Sequence, residues 1–315
     1  MRPCVHASYE TFMKKAKLLL SAFLLLAVSA PAYCGNALTA LQFLEMGAGA
    51  RYLAMGGAAT AIADDSTAMY WNPALMAGIE GGAADLMHAV YDDSGVYYDW
   101  LSVMCGVSKK SAIGFSVQYF SAGSLENIET NGDVLGDFNP YDAAVSLGYA
   151  VKIKGASIGA AVKYIRSKII SETDTYAFDF GIRAPDMLNG RFKLAAAITN
   201  AGEGIKYGKE TEDLPMTLKV GTGFNISDNM LIAADIGQVK GRDIYAACGG
   251  ELIVNVAPEV LLALRAGYNT IAESEGLSGF SAGIGIGYKN LLIDYAFLPM
   301  GDLGDTHRAS ITFYF

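Results

Sequence analysis

Apolar residues alternate with small or polar residues from about residue 84 to the end of the chain. In 141–152 the odd positions are mostly large and apolar, whereas the even positions carry alanine, glycine, serine or a charge. The same division recurs in 216–226 and in 280–288. Successive side chains of a strand point to opposite faces of a sheet. The pattern therefore predicts strands with one apolar face and one face of small or polar residues.

Fourteen segments show this alternation, and their links alternate in length. Tight links such as 109–110 and 154–155 are followed by long polar ones such as 122–139 and 201–213. An even number of antiparallel strands with short turns at one end and long loops at the other is typical of bacterial outer-membrane barrels. The predicted strands are 84–91, 97–107, 111–121, 140–152, 156–168, 174–184, 191–200, 215–226, 230–239, 244–256, 259–269, 278–288, 290–298 and 306–315.

The fold class predicted for 84–315 is therefore all-β, a transmembrane antiparallel barrel of about fourteen strands. A soluble β-sandwich also alternates, but in lipid a sheet must close so that no backbone group is left unpaired. The chain ends on the apolar face at Phe315, which we interpret as an assembly signal for the barrel assembly machinery. Tyrosines near strand ends predict interfacial girdles; they are Tyr97, Tyr98, Tyr149, Tyr268, Tyr288 and Tyr295.

The N-terminus predicts export. After Met13, a second plausible start, three lysines precede an apolar run from Leu18 to Ala30, and small residues follow. These are the parts of a signal peptide, and the run is shorter than the roughly 20 apolar residues of a spanning helix. We predict that 1–34 is removed and that the mature protein reaches the bacterial outer membrane, with the lipid bilayer as a partner.

Charge and composition disfavour several function classes. Removal of 1–34 takes away four bases and one acid, so the net charge falls from −9 to −12. Without clustered Lys and Arg, no nucleic-acid partner is expected. His88 and His307 are the histidines that remain after removal of 1–34. We therefore predict that the protein binds no metal or other cofactor and has no enzymatic activity. Cys105 and Cys248 lie in apolar runs and are predicted to be small buried side chains.

Residues 35–83 differ from the rest, because glycines divide them into short apolar pieces without regular alternation. A barrel of this size has a lumen that water crosses unless a segment fills it. We predict that 35–83 form an N-terminal hatch inside the lumen; the alternative is a periplasmic extension. Glycine and alanine on the predicted inner face leave room for its bulky residues, Met55, Met69, Tyr70 and Trp71.

The segment from Gly49 to Ala74 carries Asp-Asp-Ser-Thr-Ala-Met-Tyr-Trp-Asn-Pro-Ala at its end, and this resembles the N-terminal signature of the PorV/PorQ family within the FadL-like outer-membrane barrels. Further matching motifs are Leu-Pro-Met-Thr-Leu-Lys-Val-Gly at 214–221 and Asp-Tyr-Ala-Phe-Leu-Pro-Met-Gly at 294–301. The resemblance implies a fourteen-stranded barrel with an internal hatch. It implies passage of hydrophobic small molecules or, as the alternative, a structural or secretion role like that of PorV.

Two groups of residues are candidates for function. The hatch and gating candidates are Asp64, Asp65, Trp71, Asn72 and Pro73. Charges on the predicted inner face form the second group, because a base facing lipid at mid-membrane costs about 2–4 kcal/mol. We expect these inner-face charges to pair with each other or with the hatch. The alternative is that an arginine among them holds a substrate carboxylate. They are Lys163 or Arg166, Arg183, Lys193, Lys219, Asp235, Glu251, Arg265, Asp294 and Arg308.

Overall fold

The computed structural model describes residues 39–91, 95–130, 133–271, 279–299 and 305–315. The predicted signal peptide, 1–34, lies outside the described residues. Fourteen of the described strands form one closed sheet in which every neighbouring pair is antiparallel. The predicted all-β barrel of fourteen strands is confirmed.

Each barrel strand pairs with the barrel strands before and after it, and the ring closes between the first and the last strand. Two further pairs, described below, lie outside the ring. The barrel strands are β1 (Gly82–Tyr91), β2 (Val96–Ser108), β3 (Ser111–Ser121), β6 (Tyr141–Ile153), β7 (Ala156–Lys168), β8 (Glu172–Arg183), β9 (Phe192–Ala201), β12 (Thr217–Ser227), β13 (Met230–Val239), β14 (Ile244–Ala257), β15 (Val260–Asn269), β16 (Phe280–Tyr288), β17 (Leu291–Pro299) and β18 (Asp305–Tyr314).

Alternation along each strand separates a lipid-facing surface from the interior. In β16, Ile284 and Ile286 point outward and are 50% and 55% exposed, while Gly285 and Gly287 point inward and are buried. Large apolar side chains on the outer face suit the hydrocarbon of a bilayer. Small residues on the inner face leave space for the N-terminal part of the chain.

Two long links contain hairpins that the alternation did not predict. Strands β4 (Leu125–Ile128) and β5 (Val134–Phe138) pair in one, and β10 (Ile205–Tyr207) and β11 (Glu210–Glu212) pair in the other. Both hairpins lie at the same rim of the barrel, called here the long-loop rim. The opposite, short-turn rim carries two-residue links such as 109–110 and the chain end.

The N-terminal segment, residues 39–81, is irregular and almost wholly buried. It contains 3-10 turns at Gln42–Glu45 and Pro73–Gly78 and single helical turns α1 (Ala50–Leu53) and α2 (Ala68–Trp71). Among the described residues, no helix has the length and hydropathy needed to cross a bilayer. The frequent glycines explain why the pieces are short, since Gly56 and Gly57 both adopt positive φ.

Small wall residues determine how closely this segment approaches the barrel. A Cβ built on Gly148 would lie 2.7 Å from Sδ of Met69, and one on Gly159 would lie 2.5 Å from the backbone nitrogen of Ala74. The core of the molecule therefore lies between the segment and the inner wall, with Met55 and Met69 fully buried.

Three sequence expectations concerning individual side chains were wrong. Tyr98 does not belong to an interfacial girdle but points inward and is fully buried. Cys248 and Cys105 point outward, exposed and half-buried respectively. In each case the residue lies in the predicted strand. The surrounding apolar sequence did not show which face of the sheet its side chain occupies. At the chain end, Phe315 pairs through both backbone groups with Gly82 and exposes its ring beside Phe313.

Candidate functional site

The N-terminal segment crosses the interior from one rim to the other. At the long-loop rim the amide of Ala40 donates to the carbonyl of Asp213. At the short-turn rim the carbonyl of Gly81 accepts from Gly106, and Gly82 pairs with Phe315. Between these points the segment contacts inner-face residues of strands on all sides of the barrel. The N-terminal segment therefore divides the interior of the barrel.

Five charged side chains form a continuous chain of ion pairs between the segment and the wall. Arg51 of α1 lies 2.6 Å from Asp64 and 2.8 Å from Glu251 on β14. Glu251 also pairs with Arg265 at 2.7 Å, and Arg265 pairs with Asp294 at 2.5 Å. Apart from Asp64, all these side chains are nearly buried. Glu251 is shared by Arg51 and Arg265, so each of these guanidinium groups has two carboxylate partners.

Asp65, the next residue, has a local role. Its carboxylate accepts from the backbone nitrogen of Thr67 at 2.8 Å and from the Thr67 hydroxyl at 2.5 Å. The hydroxyl of Tyr52 donates to Asp65 at 2.9 Å. The same hydroxyl accepts from the amide of Asp64 at 3.0 Å. This aspartate turn sets the direction in which α2 begins.

Trp71 and Asn72 form hydrogen bonds within the N-terminal segment, and Asn72 also bonds to the barrel wall. The indole nitrogen of Trp71 donates to the carbonyl of Ala48 at 2.9 Å. The Asn72 amide donates to the carbonyls of Thr60 and Ala196, at 2.9 and 3.3 Å. Its oxygen accepts from the nitrogen of Ala74, so Asn72 caps the following 3-10 turn while Pro73 occupies the turn's first position.

The inner face of β7 to β9 holds a second buried ion pair beside an irregularity in the wall. Lys163 lies 2.9 Å from Asp179 and donates to the side chain of Asn200 at 2.6 Å. Asn200 has a φ of 60°, and the pairing of β8 with β9 changes register here. Of the two alternatives predicted for β7, Lys163 points inward, and Arg166 points outward to Asp174.

A cavity of about 670 Å³ lies above the segment at the long-loop rim. Apolar and aromatic groups of the segment, including Leu53, Tyr70 and Trp71, form its floor. The charged residues that line it are Glu45, Lys219, Arg242 and Arg308. Arg242 lies 2.5 Å from Glu45, and burial raises the pKa of the Glu45 carboxyl although Arg242 opposes the shift. The volume falls in the range typical of small-molecule sites.

Comparison with models of known protein families shows which family the sequence matches. The family model described as "Type IX secretion system protein PorV" matches residues 35–236, which is more than half of the chain. The chain belongs to the PorV family. This confirms the resemblance drawn from the Gly49 to Ala74 signature. No match was found among curated proteins by sequence.

Solved structures similar to this PorV-family chain include two toluene transporters and a FadL homologue. The Pseudomonas putida toluene transporter TodX has a TM-score of 0.56 at 12% identity, over 84% of this chain and 96% of TodX. The Ralstonia pickettii toluene transporter TbuX has 0.56 at 12%, over 85% and 98%. A Pseudomonas aeruginosa FadL homologue has 0.56 at 13%, over 83% and 96%. At these identities the likeness establishes the fold.

The structure brings together some of the predicted site residues and separates others. Arg265 and Asp294 meet in the ion-pair chain, whereas Lys219 and Arg308 line the cavity. Arg183 lies at the end of β8, where it pairs with nearby Asp186. The role of the hatch candidates in gating, and that of the inner-face charges in holding a substrate carboxylate, stay predictions.

Sequence reasoning missed the partners that the N-terminal segment supplies. Arg51 and Tyr52 contact both aspartates of the signature, and the amide of Thr60 donates to Asp235 of β13 at 2.9 Å. Arg51 is the one base between residues 39 and 81. The sequence signal for this contact was a single base inside the predicted hatch, opposite an inner wall that is rich in acidic residues.

Proposed function

We propose that this protein passes hydrophobic small molecules across the bacterial outer membrane. The observation that carries the proposal is the largely apolar cavity that opens at the long-loop rim of a closed barrel and ends on Tyr70 and Trp71. The named structural neighbours, a toluene transporter and a "monoaromatic hydrocarbon channel", support it. The barrel wall keeps such a solute away from the polar surface of the membrane.

We propose further that residues 47–83 act as the hatch and control passage. Below the cavity the segment is packed against the wall, and Met69 and Met76 contact the inner face at Gly114 and Gly148. A solute leaving the cavity has to displace this packing. Asp64 and Asp65 hold the segment's internal fold, and Asn72 and its neighbour Pro73 hold it near β8 and β9.

The same architecture supports a location in the outer membrane. The apolar outer face, with Leu147 61% and Ile236 60% exposed, suits a bilayer. We propose export through the signal peptide 1–34 and insertion by the barrel assembly machinery through Phe315. Deletion of Phe315 is expected to lower the amount of heat-modifiable barrel in the outer-membrane fraction.

Uptake by whole cells tests the transport proposal. A bacterial host with a lipopolysaccharide outer leaflet is compared with and without the protein for initial uptake of radiolabelled toluene. Leu298→Trp fills the cavity and is expected to reduce uptake, whereas Phe297→Trp on the outer face of the same strand serves as the matched control. Uptake equal to that of the empty host, with folded protein in the membrane, would contradict the proposal.

A second candidate function is a structural or secretion role like that of PorV, favoured by the family match over 35–236. Purification from the native envelope distinguishes the two roles. Recovery of a large, stable envelope complex supports the secretion role, and recovery of the barrel by itself supports transport.

A further inference from the structure

The short-turn rim of the barrel is basic on one half of its circumference, from β2 to β9, and we call this half the basic rim. Two acids lie there, Glu80 and Asp186. On the other half of the same rim, the links 228–229, 258–259 and 289–290 carry two acids and one base. The seven cations of the basic rim are Lys109, Lys110, Lys152, Lys154, Arg183, Arg191 and Lys193.

Backbone pairing brings the cations of neighbouring strands together. The nitrogen of Lys152 donates to the carbonyl of Lys110 at 2.7 Å. Lys152 and Arg183 lie opposite Ser157, one on each side of it. Their backbones are therefore two strand spacings apart, about 10 Å. These cations form one row on the inner side of the rim.

The link between β8 and β9, residues 184–191, continues this row. A Cβ built on Gly155 would lie 3.4 Å from Cβ of Pro185, so the link lies beside the turn that carries Lys154. Beyond the link, Lys193 lies opposite the inward-facing Gly223. The basic rim is therefore continuous from the turn before β3 to the start of β9.

Most of the basic rim has no acidic partner. Arg183 pairs with Asp186, but the other six cations form no ion pair with a carboxylate among the described residues. Composition does not explain the patch, because the chain has a net charge of −9 and the two hairpin-containing links, 122–140 and 202–216, carry eight acids and two bases. A cluster of unneutralised cations attracts an anion from outside the chain.

The cations point to water and not to lipid. Outward side chains stay apolar up to the strand ends, where Val107 is 61% and Ile153 is 50% exposed. A surface that binds phospholipid headgroups would instead carry its cations at such outward positions. A protein partner would need an apolar centre to its interface, and Leu188 is the one exposed large apolar side chain of the link 184–191.

We propose that the basic rim binds an acidic polymer of the periplasm, the carboxylate-bearing glycopeptide of the cell wall. The short turns of bacterial outer-membrane barrels face the periplasm. Carboxylates that repeat along a polymer suit lysines on flexible stems, spread over adjacent links, better than they suit a closed pocket. The proposal goes beyond passage of small molecules, and it rests on the proposed membrane location for the compartment that this rim faces.

Co-sedimentation with isolated cell-wall sacculi tests the proposal. The full-length protein is embedded in nanodiscs of phosphatidylcholine, a lipid without net charge, and is centrifuged with the sacculi. We expect binding at about 0.01 M salt, where the Debye length is about 30 Å, and release at about 1 M, where it is about 3 Å. Sacculi whose carboxylates have been amidated should not bind the protein.

The rim variant is the triple substitution Lys110→Gln, Lys152→Gln and Lys154→Gln. Each cation near an anionic surface contributes about fivefold to affinity, so the three together predict binding that is weaker by about a hundredfold at low salt. All three side chains are exposed, and heat-modifiable migration on a gel verifies that the variant forms a barrel.

The matched control is Lys206→Gln, Lys209→Gln and Lys240→Gln at the long-loop rim, where the three lysines are also exposed. It changes the net charge by the same amount and should bind sacculi like the parent. Equal binding by the rim variant and this control would overturn the proposal, as would undiminished binding to amidated sacculi or no binding at low salt.

Native mass spectrometry in mixed phosphatidylcholine and phosphatidylglycerol tests the lipid alternative. The parent and the rim variant are expected to retain phosphatidylglycerol alike. A selective loss of this lipid from the rim variant would assign the basic rim to lipid headgroups and overturn the proposal.

These outcomes are independent of the proposed transport. Sacculus binding that depends on the basic rim, without toluene uptake by cells, would support the wall contact and contradict transport. Toluene uptake without sacculus binding would support transport and overturn the wall contact.

Discussion

The two sides of the barrel interior hold the N-terminal segment in different ways. On strands β13 to β18 the contacts are polar: Arg51 pairs with Glu251, and the amide of Gly56 donates to the Ser281 hydroxyl at 3.0 Å. On β3 and β6 the wall has no side chain at Gly114 and Gly148, and the segment presents the flexible side chains of Met69 and Met76 there. The polar side fixes position and orientation, whereas the methionine side fills space.

This difference predicts where displacement of the segment begins. Directional contacts such as the ion-pair chain are lost over short displacements, while methionine side chains adapt by changing rotamer. We therefore expect displacement to begin at β3 and β6, with the segment still held at β14 and β15. The predictions below test this asymmetry, from the largest expected effect to the smallest.

Deletion of residues 47–80 removes both kinds of contact at once. It is expected to leave a barrel that conducts ions in planar bilayers far better than the intact protein, because the lumen is no longer filled. Single-channel recording measures this directly. Equal conductance of the two forms would show that the segment does not obstruct the lumen. A barrel without Phe315, if it can be recovered, is the control for general damage to assembly.

Glu251→Gln tests the polar side by itself. The substitution keeps the shape of the side chain but leaves Arg51 with Asp64 alone and Arg265 with Asp294 alone. The loss of charge-assisted hydrogen bonds to Glu251 is expected to cost about 3 kcal/mol. The expected result is a lower midpoint of unfolding in urea and faster quenching of Trp71 by acrylamide. The second tryptophan, Trp100, is replaced by Phe in this background so that the signal belongs to the segment.

The control for this variant is Glu259→Gln, since Glu259 pairs with Lys289 at 3.7 Å in an exposed position. Exposed pairs contribute little to stability, so the control should behave like the parent. Unchanged quenching of Trp71 in Glu251→Gln would show that the ion-pair chain does not hold the segment.

Gly148→Leu tests the methionine side. The new side chain enters the space of Met69 and Met76, and overpacking of this kind costs about 1–3 kcal/mol. A smaller loss than in Glu251→Gln is expected, because the methionines can shift. Gly250→Ala is the control, since a Cβ there finds its nearest neighbour at 3.6 Å. A loss larger than that of Glu251→Gln would reverse the proposed asymmetry.

The barrel was predictable from the sequence because period-two alternation is a local property of each strand. The segment 156–168, for example, coincides with β7, and its burial alternates as the sequence predicted. The inward direction of Lys219, Arg265, Asp294 and Arg308 followed from the same alternation.

The details of the candidate site were not predictable in this way. The contact of Arg51 with Glu251 joins residues 200 positions apart, and it depends on the path of an irregular segment that has no period. Asn200, at the register change, likewise forms side-chain hydrogen bonds with buried partners from two other parts of the chain, Lys163 and Pro215. Side-chain pairing inside the lumen is set by tertiary packing and not by local pattern.

Asn72 provides the finest test, because it lies between the two sides. It caps the turn Pro73–Gly78 through its oxygen and reaches Thr60 and Ala196 through its amide. Asn72→Ala loses the cap, which costs about 1 kcal/mol, and should speed amide hydrogen exchange at Ala74. Asn72→Ser keeps a capping oxygen but not the reach to Ala196, so it should restore most of the protection. Equal exchange in the two variants would assign the role of Asn72 to its wall contact instead of its cap.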